Sequence, residues 1–377
     1  MTVTQTPVVL VLGALVALMT LAPRVGSRAV ARRDVWVATC LALATLFVPT
    51  ASLAYGLAAL TAAWLARLAW GSSRTGSGML VVVAALTAVA GYLIQYRAPS
   101  SVGWFLSLLA IALRAGFLAF HPGIVALSRQ APHVQHLQLA TFIAPVFVHL
   151  VYADHVYLAH DWAQPVVYAG ALSALIFALV TLVQSDLRGL LINTTLMHGG
   201  LVLAALGAAG RGHHVAALFV SLSTVLAMSG LGTAVEAVEA RSGNVELGRA
   251  GGRARSFPRL AAAFAVFGAA GVGMPGTAGF IADDLIMHAL WEESVAATVI
   301  VVVATAVVAV STLRALTLVF FGKPVRSVAP DLLPNERRYM LTVILVLFAI
   351  GLFPQTIVAS AMSLLDSPAR VTVSCGC

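Results

Sequence analysis

Long apolar stretches run through almost the whole sequence and constrain the fold more than any other feature. Most are close to the roughly 20 residues that an α-helix needs to cross the hydrocarbon core of a bilayer; the second is short and the tenth is too long for one straight span. The twelve stretches cover residues 7–23, 35–49, 51–70, 78–96, 103–120, 136–153, 164–183, 191–209, 214–236, 257–290, 296–320 and 339–363. Charged residues make up only 10% of the chain, against about a quarter in soluble domains. The sequence therefore predicts an all-α polytopic membrane protein with about twelve transmembrane helices.

Several function classes are excluded by what lies between these stretches. The sequence contains no P-loop, no GxGxxG after a strand and no HExxH, so we expect no nucleotide site, no cofactor and no metal. The cysteines Cys40, Cys375 and Cys377 form neither a CxxC pair nor a zinc spacing. Cys375 and Cys377 are open to two interpretations, a frayed tail or a small metal or redox clip. Energy must come from an ion gradient or a partner protein.

The basic residues, 21 arginines and Lys323, are distributed unevenly between the loops. When loops are assigned alternately, one side receives Arg24, Arg28, Arg32, Arg33, Arg67, Arg74, Arg129, Arg188, Arg241, Arg249, Arg253, Arg255, Lys323, Arg326, Arg337 and Arg338. By the positive-inside rule this side is cytoplasmic, which places both termini outside. We therefore attribute the net charge of +8 to membrane loops rather than nucleic-acid binding, in a bacterial-type inner membrane.

The first and the longest polar segments fit the same topology. No basic residue precedes the first apolar stretch and four arginines follow it, which predicts an N-out anchor rather than a cleaved signal peptide. Residues 237–256 are rich in Gly, Ser and Arg and predict a cytoplasmic loop with little fixed structure.

The tenth stretch is interrupted in its middle. Residues 271–279 read Gly-Val-Gly-Met-Pro-Gly-Thr-Ala-Gly, a composition that a regular helix does not carry. Unwound backbone within a membrane persists only where protein or a water-filled cavity satisfies its polar groups. Transporters build ion sites from such broken helices.

Titratable side chains inside apolar stretches are costly and mark functional sites by default. Arg114 lies in the fifth stretch and either snorkels to the cytoplasmic side or serves a function. His149 and Asp154 flank the end of the sixth stretch, where His149 is either a proton relay or a satisfied core histidine. His136 opens that stretch, and His198 lies in the eighth.

Asp283 and Asp284 follow the broken segment. Adjacent carboxylates cannot both be ionised cheaply, which favours a proton-binding site; the alternative is an ion pair with an arginine such as Arg314. An arginine stays protonated and so can bias its neighbours but cannot relay protons. Any relay must therefore use the histidines and aspartates.

Three motifs carry a resemblance to a known family. Residues 184–200, Gln-Ser-Asp-Leu-Arg-Gly-Leu-Leu-Ile-Asn-Thr-Thr-Leu-Met-His-Gly-Gly, resemble a stretch of the antiporter-like membrane subunits of NADH-quinone oxidoreductase (complex I) and of Mrp-type cation/proton antiporters. Phe120-His121 with Ala131-Pro132 keeps the spacing of a second family motif, and residues 273–284 resemble a third. The resemblance extends over about residues 78–325, with residues 311–322 similar to the helix that follows the third motif.

The resemblance implies two inverted half-repeats, each with a broken helix and a half-channel, joined by a buried polar axis. It places Arg114 on a buried lysine, Asp283 on a glutamate or lysine, and His198 on a histidine or glutamine. The implied proton pathway comprises Arg114, His121, His149, His198, Asp283, Asp284 and Arg314. It also implies divergent N-terminal helices at 1–77, a proton-conducting core at 78–325, and a C-terminal helix and tail at 326–377.

The sequence departs from the family in several places. The next buried basic position of the family falls on Pro145, with His149 one turn away. The stretch 51–70 lacks the glutamate expected there, and two N-terminal helices and a lateral C-terminal helix of the family have no counterpart. Proton passage through the first half-channel is therefore an open question.

Three functions are consistent with these observations. The first is a proton-conducting subunit of a larger complex that contains redox subunits. The second is the membrane subunit of a gradient-powered inorganic-carbon uptake system with a cytoplasmic carbonic-anhydrase-like partner. The third is a degenerate membrane scaffold that anchors partners.

Overall fold

The computed structural model describes residues 7–20, 32–96, 100–118, 120–153, 163–208, 212–248, 251–323 and 329–365. In these residues the chain is almost entirely helical. The α-helices are α1 (Pro7–Thr20), α2 (Arg32–Phe47), α3 (Ala51–Ala69), α4 (Arg74–Tyr96), α5 (Ser100–Ala115), α6 (His121–Gln130), α7 (Pro132–Ala140), α8 (Ile143–Tyr152), α9 (Ala163–Leu182), α10 (Leu187–Gly207), α11 (His213–Ser242), α12 (Pro258–Ala270), α13 (Ala278–Glu293), α14 (Val295–Phe320), α15 (Pro334–Leu352) and α16 (Gln355–Leu365).

The all-helical membrane architecture is confirmed, but the count of twelve spans is not. Among the described residues seven helices are long and apolar enough to cross a bilayer, with α7 and α8 together forming one of them. The number rises to eight if the bent pair α15 and α16 forms one span. Helices α1, α5 and α12 are apolar but shorter.

Three stretches that the sequence predicted as continuous helices are interrupted. The stretch 136–153 is interrupted at Thr141 and Phe142, between α7 and α8. The stretch 103–120 ends as a helix at Ala115, because Gly116 adopts a left-handed conformation with φ of 74°. Residues 121–130, expected in a loop, form α6 instead. The stretch 339–363 bends by 71° between α15 and α16, because Pro354 lacks an N–H group and keeps Phe353 out of helical geometry.

The polar stretch 237–256 is more ordered than expected. Helix α11 continues to Ser242, and Glu239 on its last turns forms an ion pair with Arg188. Beyond the helix, Leu247 N donates to Ser185 O at 2.6 Å, and Gly251 N donates to Leu318 O at 2.6 Å. Residues 249–250 lie outside the described part. Backbone hydrogen bonds and an ion pair therefore tie this segment to α10 and α14.

Helices α10 and α11 form the centre of the molecule. The apolar window of α11 is fully buried and that of α10 is 94% buried, whereas those of α4 and α14 are 39% buried. Small residues allow α9 and α10 to pack backbone to backbone, as is common between membrane helices. A Cβ atom added at Gly200 would lie 2.6 Å from Ala174 N, and 2.8 Å from Gly170 O. This packing fixes the depth of α10, which carries His198.

Candidate functional site

Arg114 is buried beside the helix break at Gly116, where α5 ends. Its side chain lies on the last turn of α5 and is only 3% exposed. The guanidinium donates to Gln138 O at 3.2 Å and to Thr141 Oγ1, while Gln138 Nε2 donates back to Arg114 O at 2.9 Å. Snorkelling to the membrane surface is therefore the wrong interpretation of this residue.

The end of α7 provides the charge compensation for Arg114. Helix α7 ends at Ala140, and Phe142 N donates to Leu139 O rather than to Gln138 O. The Gln138 carbonyl is thus available at the partially negative end of a helix, where a cation is stabilised. No ion pair of Arg114 occurs within the described residues, so neutral carbonyl dipoles replace a carboxylate partner.

Two small cavities border Arg114. One of about 30 Å³ is also lined by Gln135, Gln138, Thr195 and Thr224. The other, of about 10 Å³, lies among Tyr55, Thr87, Ser107, Pro145 and other residues. Cavities of this size can hold ordered water where polar groups face them. Most of each wall is apolar, and the polar groups named above form the rest.

The polar atoms around the larger cavity have unused hydrogen-bonding capacity. Arg114 Nε, Gln135 Nε2 and Gln138 Oε1 are buried without a hydrogen-bond partner in the described part of the protein. Because unpaired buried polar atoms are costly, such atoms usually bind water. The arrangement therefore favours water beside a permanently charged guanidinium.

His149 is linked to the smaller cavity through hydroxyl groups. It lies on α8, is fully buried, and its Nδ1 atom is 2.9 Å from Ser107 Oγ. Tyr55 OH lies 3.0 Å from the same hydroxyl, and the Trp104 ring packs 5.6 Å from the imidazole. Tyr55 lies on α3, the helix without the expected glutamate.

His198 extends from the buried helix α10 to the break between α12 and α13. Its Nδ1 atom lies 2.8 Å from Thr194 O, and its Nε2 atom lies 2.8 Å from Gly271 O, the first residue of the break. Both partners are acceptors, and only an imidazolium donates from both nitrogens at once. The neutral ring still donates one of these bonds. The geometry thus accommodates both protonation states of the His198 ring.

Asp283 packs against the same break. The loop between α12 and α13 contains Gly273 and Gly276 at φ of 75° and 88°, conformations that favour glycine. A side chain at Gly273 would collide with the Asp283 carboxylate. His198 contacts Gly271 and Asp283 packs against Gly273, so the two side chains contact loop residues only two positions apart.

Other predicted site residues lie away from this pair. Asp284 is 56% exposed, with His288 Nδ1 at 3.5 Å, and Arg314 is exposed and donates to Leu182 O at 2.5 Å. The alternative interpretation, an ion pair of the aspartates with Arg314, is therefore not met in the described residues. His121 begins α6, with Nδ1 at 2.7 Å from Leu118 O and its ring 5.6 Å from Phe177.

Some predictions cannot be compared with the structure. Asp154, Cys375 and Cys377 lie outside the described residues. Cys40 is a free, exposed cysteine. Within the described ranges no three metal-ligating side chains cluster.

Sequence reasoning missed the neutral polar residues that complete the site. Gln135 and Gln138 recur at the three-residue spacing of one helix face, which was a usable signal. Tyr55 and Ser107 gave no comparable signal, because single hydroxyl groups are common in membrane helices. Their contact depends on the packing of α3, α5 and α8.

Comparison with known proteins agrees with this architecture. The transmembrane family described as NADH:quinone oxidoreductase/Mrp antiporter matches residues 82–309. The chain belongs to this family. NADH-quinone oxidoreductase subunit N of Rhodococcus opacus (strain B4) is 27% identical over 283 residues, which cover 72% of this chain and 51% of that protein. Subunit M of Rickettsia conorii (strain ATCC VR-613 / Malish 7) is 25% identical, covering 67% and 53%.

Solved structures share the fold. A chain of the Mrp complex from Dietzia sp. DQ12-45-1b superposes with a TM-score of 0.79 at 18% identity, covering 97% of this chain and 84% of that chain. A chain of respiratory complex I from Thermus thermophilus with bound NADH gives 0.77 at 18% identity, covering 98% and 83%. The chain spans about half the length of the curated relatives it matches.

Proposed function

We propose that this chain is a proton-translocating membrane subunit of a heteromeric complex in a bacterial-type inner membrane, with its basic loops cytoplasmic. The observation that supports this most directly is the set of buried polar groups beside two helix breaks, the one at Gly116 and the one between α12 and α13. His149 contacts Ser107, which lines the smaller cavity beside Arg114, and His198 and Asp283 pack against the break between α12 and α13. Such groups are costly in a membrane interior and mark functional sites by default.

Three of these buried residues can gain and lose a proton, namely His149, His198 and Asp283. Arg114 stays protonated and supplies a constant positive field that orders nearby water and biases the histidines. Water in the two cavities can transfer protons past the guanidinium. Family membership supports this assignment, since relatives are named as subunits of NADH-quinone oxidoreductase.

The paired aspartates provide the test. The complex is affinity-purified in mild detergent, reconstituted into vesicles with an internal pH dye, and driven by an imposed gradient. Asp283→Asn is expected to abolish proton movement with assembly intact, whereas the exposed neighbour Asp284→Asn retains it. If Asp284→Asn alone abolished movement, the assignment would be shifted by one residue, about 100° around the helix. If neither did, this proton path would be refuted.

The identity of the partners is a separate part of the proposal. We favour redox subunits, because the named relatives are oxidoreductase subunits. The described residues contain no feature that specifically favours inorganic-carbon uptake. Mass spectrometry of the purified complex distinguishes the two, since a carbonic-anhydrase-like protein would replace the redox subunits. Co-purification of other proteins, with neither redox subunits nor a carbonic-anhydrase-like protein among them, would favour the scaffold.

A further inference from the structure

A histidine and a glutamate that the proposed path does not use face each other between α7 and α11. His136 Nδ1 lies 3.6 Å from Glu236 Oε1, and each side chain is only 17% exposed. The other ring nitrogen, Nε2, lies 3.3 Å from both Ser229 O and Thr233 Oγ1. Gly232 leaves room for the ring, since a Cβ atom there would be 3.3 Å from His136 Cε1.

This geometry fixes where the ring holds its protons. The Ser229 carbonyl can only accept, so Nε2–H donates toward it and Nδ1 faces the carboxylate. One proton can then lie on Nδ1, as imidazolium and carboxylate, or on Glu236, as imidazole and carboxylic acid. Transfer requires Nδ1 and Oε1 to approach from 3.6 Å to hydrogen-bond distance. It then breaks the O–H bond as it forms the N–H bond, and the ring does not need to rotate.

The pair lies between one end of the bundle and the cavity of Arg114. Glu236 is six residues before Ser242, the end of α11, or about 9 Å along the helix axis. That end belongs to the loops we assign to the cytoplasm. On the other side, Gln135 and Gln138, one position before and two positions after His136 in the sequence of α7, line the larger cavity, whereas His136 itself does not.

The surrounding charged groups are engaged elsewhere. On α11, Glu239 is paired with Arg188 on α10, and Arg241 with Glu336 on α15. Tyr339 on α15 approaches the pair, with Ser229 in hydrogen-bonding reach and Glu236 nearby. Among the described residues, His136 is the only basic group in an ion pair with Glu236.

We propose that His136 and Glu236 form a proton-exchanging pair that transfers protons between the cytoplasmic end of α11 and the water-binding cavity beside Arg114. This inference rests on the proposed proton path. It supplies a titratable carboxylate to the first half of the molecule, where α3 has none. The competing role is a fixed ion pair that only holds α7 against α11.

Infrared spectroscopy of the reconstituted full complex tests exchange directly. With glutamate carboxyl groups labelled with ¹³C, a pH titration of the unmodified complex is expected to show a protonated-carboxyl band coupled to a histidine ring signal. Glu236→Gln should remove this band. The control Glu239→Gln, one turn further along α11, should retain it. A band that is absent at every pH in the unmodified complex overturns the proposal without requiring any variant to fold.

Transport measured on the same variants completes the test. Glu236→Gln is expected to slow proton movement on the order of a hundredfold, as loss of a positioned acid–base group does, while Glu239→Gln leaves it nearly unchanged. Slower transport without a titrating band would identify a structural tether and overturn the proposal. Failure of the proposed function gives a different result. Proton movement would then survive Asp283→Asn, while the infrared band of Glu236 would still titrate.

Discussion

The contact between α9 and α10 gives a prediction that is independent of transport. Gly200→Ala adds one methyl group where backbone atoms of α9 lie 2.6 and 2.8 Å from the new Cβ. Ordinary contact begins near 3.4 Å, so the helices must separate by roughly 0.8 Å. Backbone cannot rotate away as a flexible side chain can.

Helix α10 has little room to make that movement. His198 lies two positions before Gly200, about 200° around the helix, and its Nε2 atom is 2.8 Å from Gly271 O. Moving α10 away from α9 therefore presses it toward the α12–α13 break. Overpacking costs about 1–3 kcal/mol, and the gain in helix propensity from glycine to alanine returns about 1 kcal/mol at most. We expect net destabilisation of about 1–2 kcal/mol.

Gly56→Ala is the matched control. Gly56 lies inside α3 with no heavy atom within 4 Å of a built Cβ. Only the gain in helix propensity from glycine to alanine therefore applies, and the free energy of unfolding of the variant should rise by up to about 1 kcal/mol. Thermal unfolding of both variants in one detergent should separate their midpoints, with Gly200→Ala lower than the unmodified protein. If Gly200→Ala were as stable as Gly56→Ala, the close packing of α9 and α10 would be wrong.

Three further predictions address topology, the fixed charge and a buried ion pair. In a cysteine-free background, cysteines at Ser242 and Ser294 should be labelled from opposite sides of the membrane; labelling from the same side contradicts the topology. Arg114→Lys should keep substantial proton movement and Arg114→Ala should lose most of it in the vesicle assay; normal movement in Arg114→Ala would make the residue structural. Glu336→Ala should lower the free energy of unfolding by about 3 kcal/mol, because it leaves the buried Arg241 unpaired; an unchanged unfolding midpoint would count against this.

Much of the fold follows from local sequence because a membrane span is a local property. The lengths of the apolar stretches predicted the helices. The glycine-rich residues 271–279 predicted the break between α12 and α13, since φ values near 80° are accessible to few residues other than glycine. The break after α5 was harder to predict. It depends on the single residue Gly116, within a sequence whose composition otherwise permits a helix.

The candidate site was only half predictable for a related reason. Charged residues in apolar stretches are conspicuous, so Arg114, His149, His198 and Asp283 could be named from the sequence. Their partners are mostly neutral groups or backbone carbonyls, which no sequence pattern distinguishes. The contact of His198 with Gly271 joins residues 73 positions apart. Only tertiary packing brings such groups together.

The compensation of Arg114 by a helix end, rather than by a carboxylate, has a mechanistic consequence. A carboxylate partner could itself be protonated, and the local field would then change with each proton that passed. The Gln138 carbonyl and the Thr141 hydroxyl do not titrate near neutral pH, so their interaction with the guanidinium is constant. A constant field can raise the barrier for one proton position and lower it for another, but cannot store a proton. On the proposed path, proton storage near Arg114 is therefore assigned to His149, or to the pair formed by His136 and Glu236.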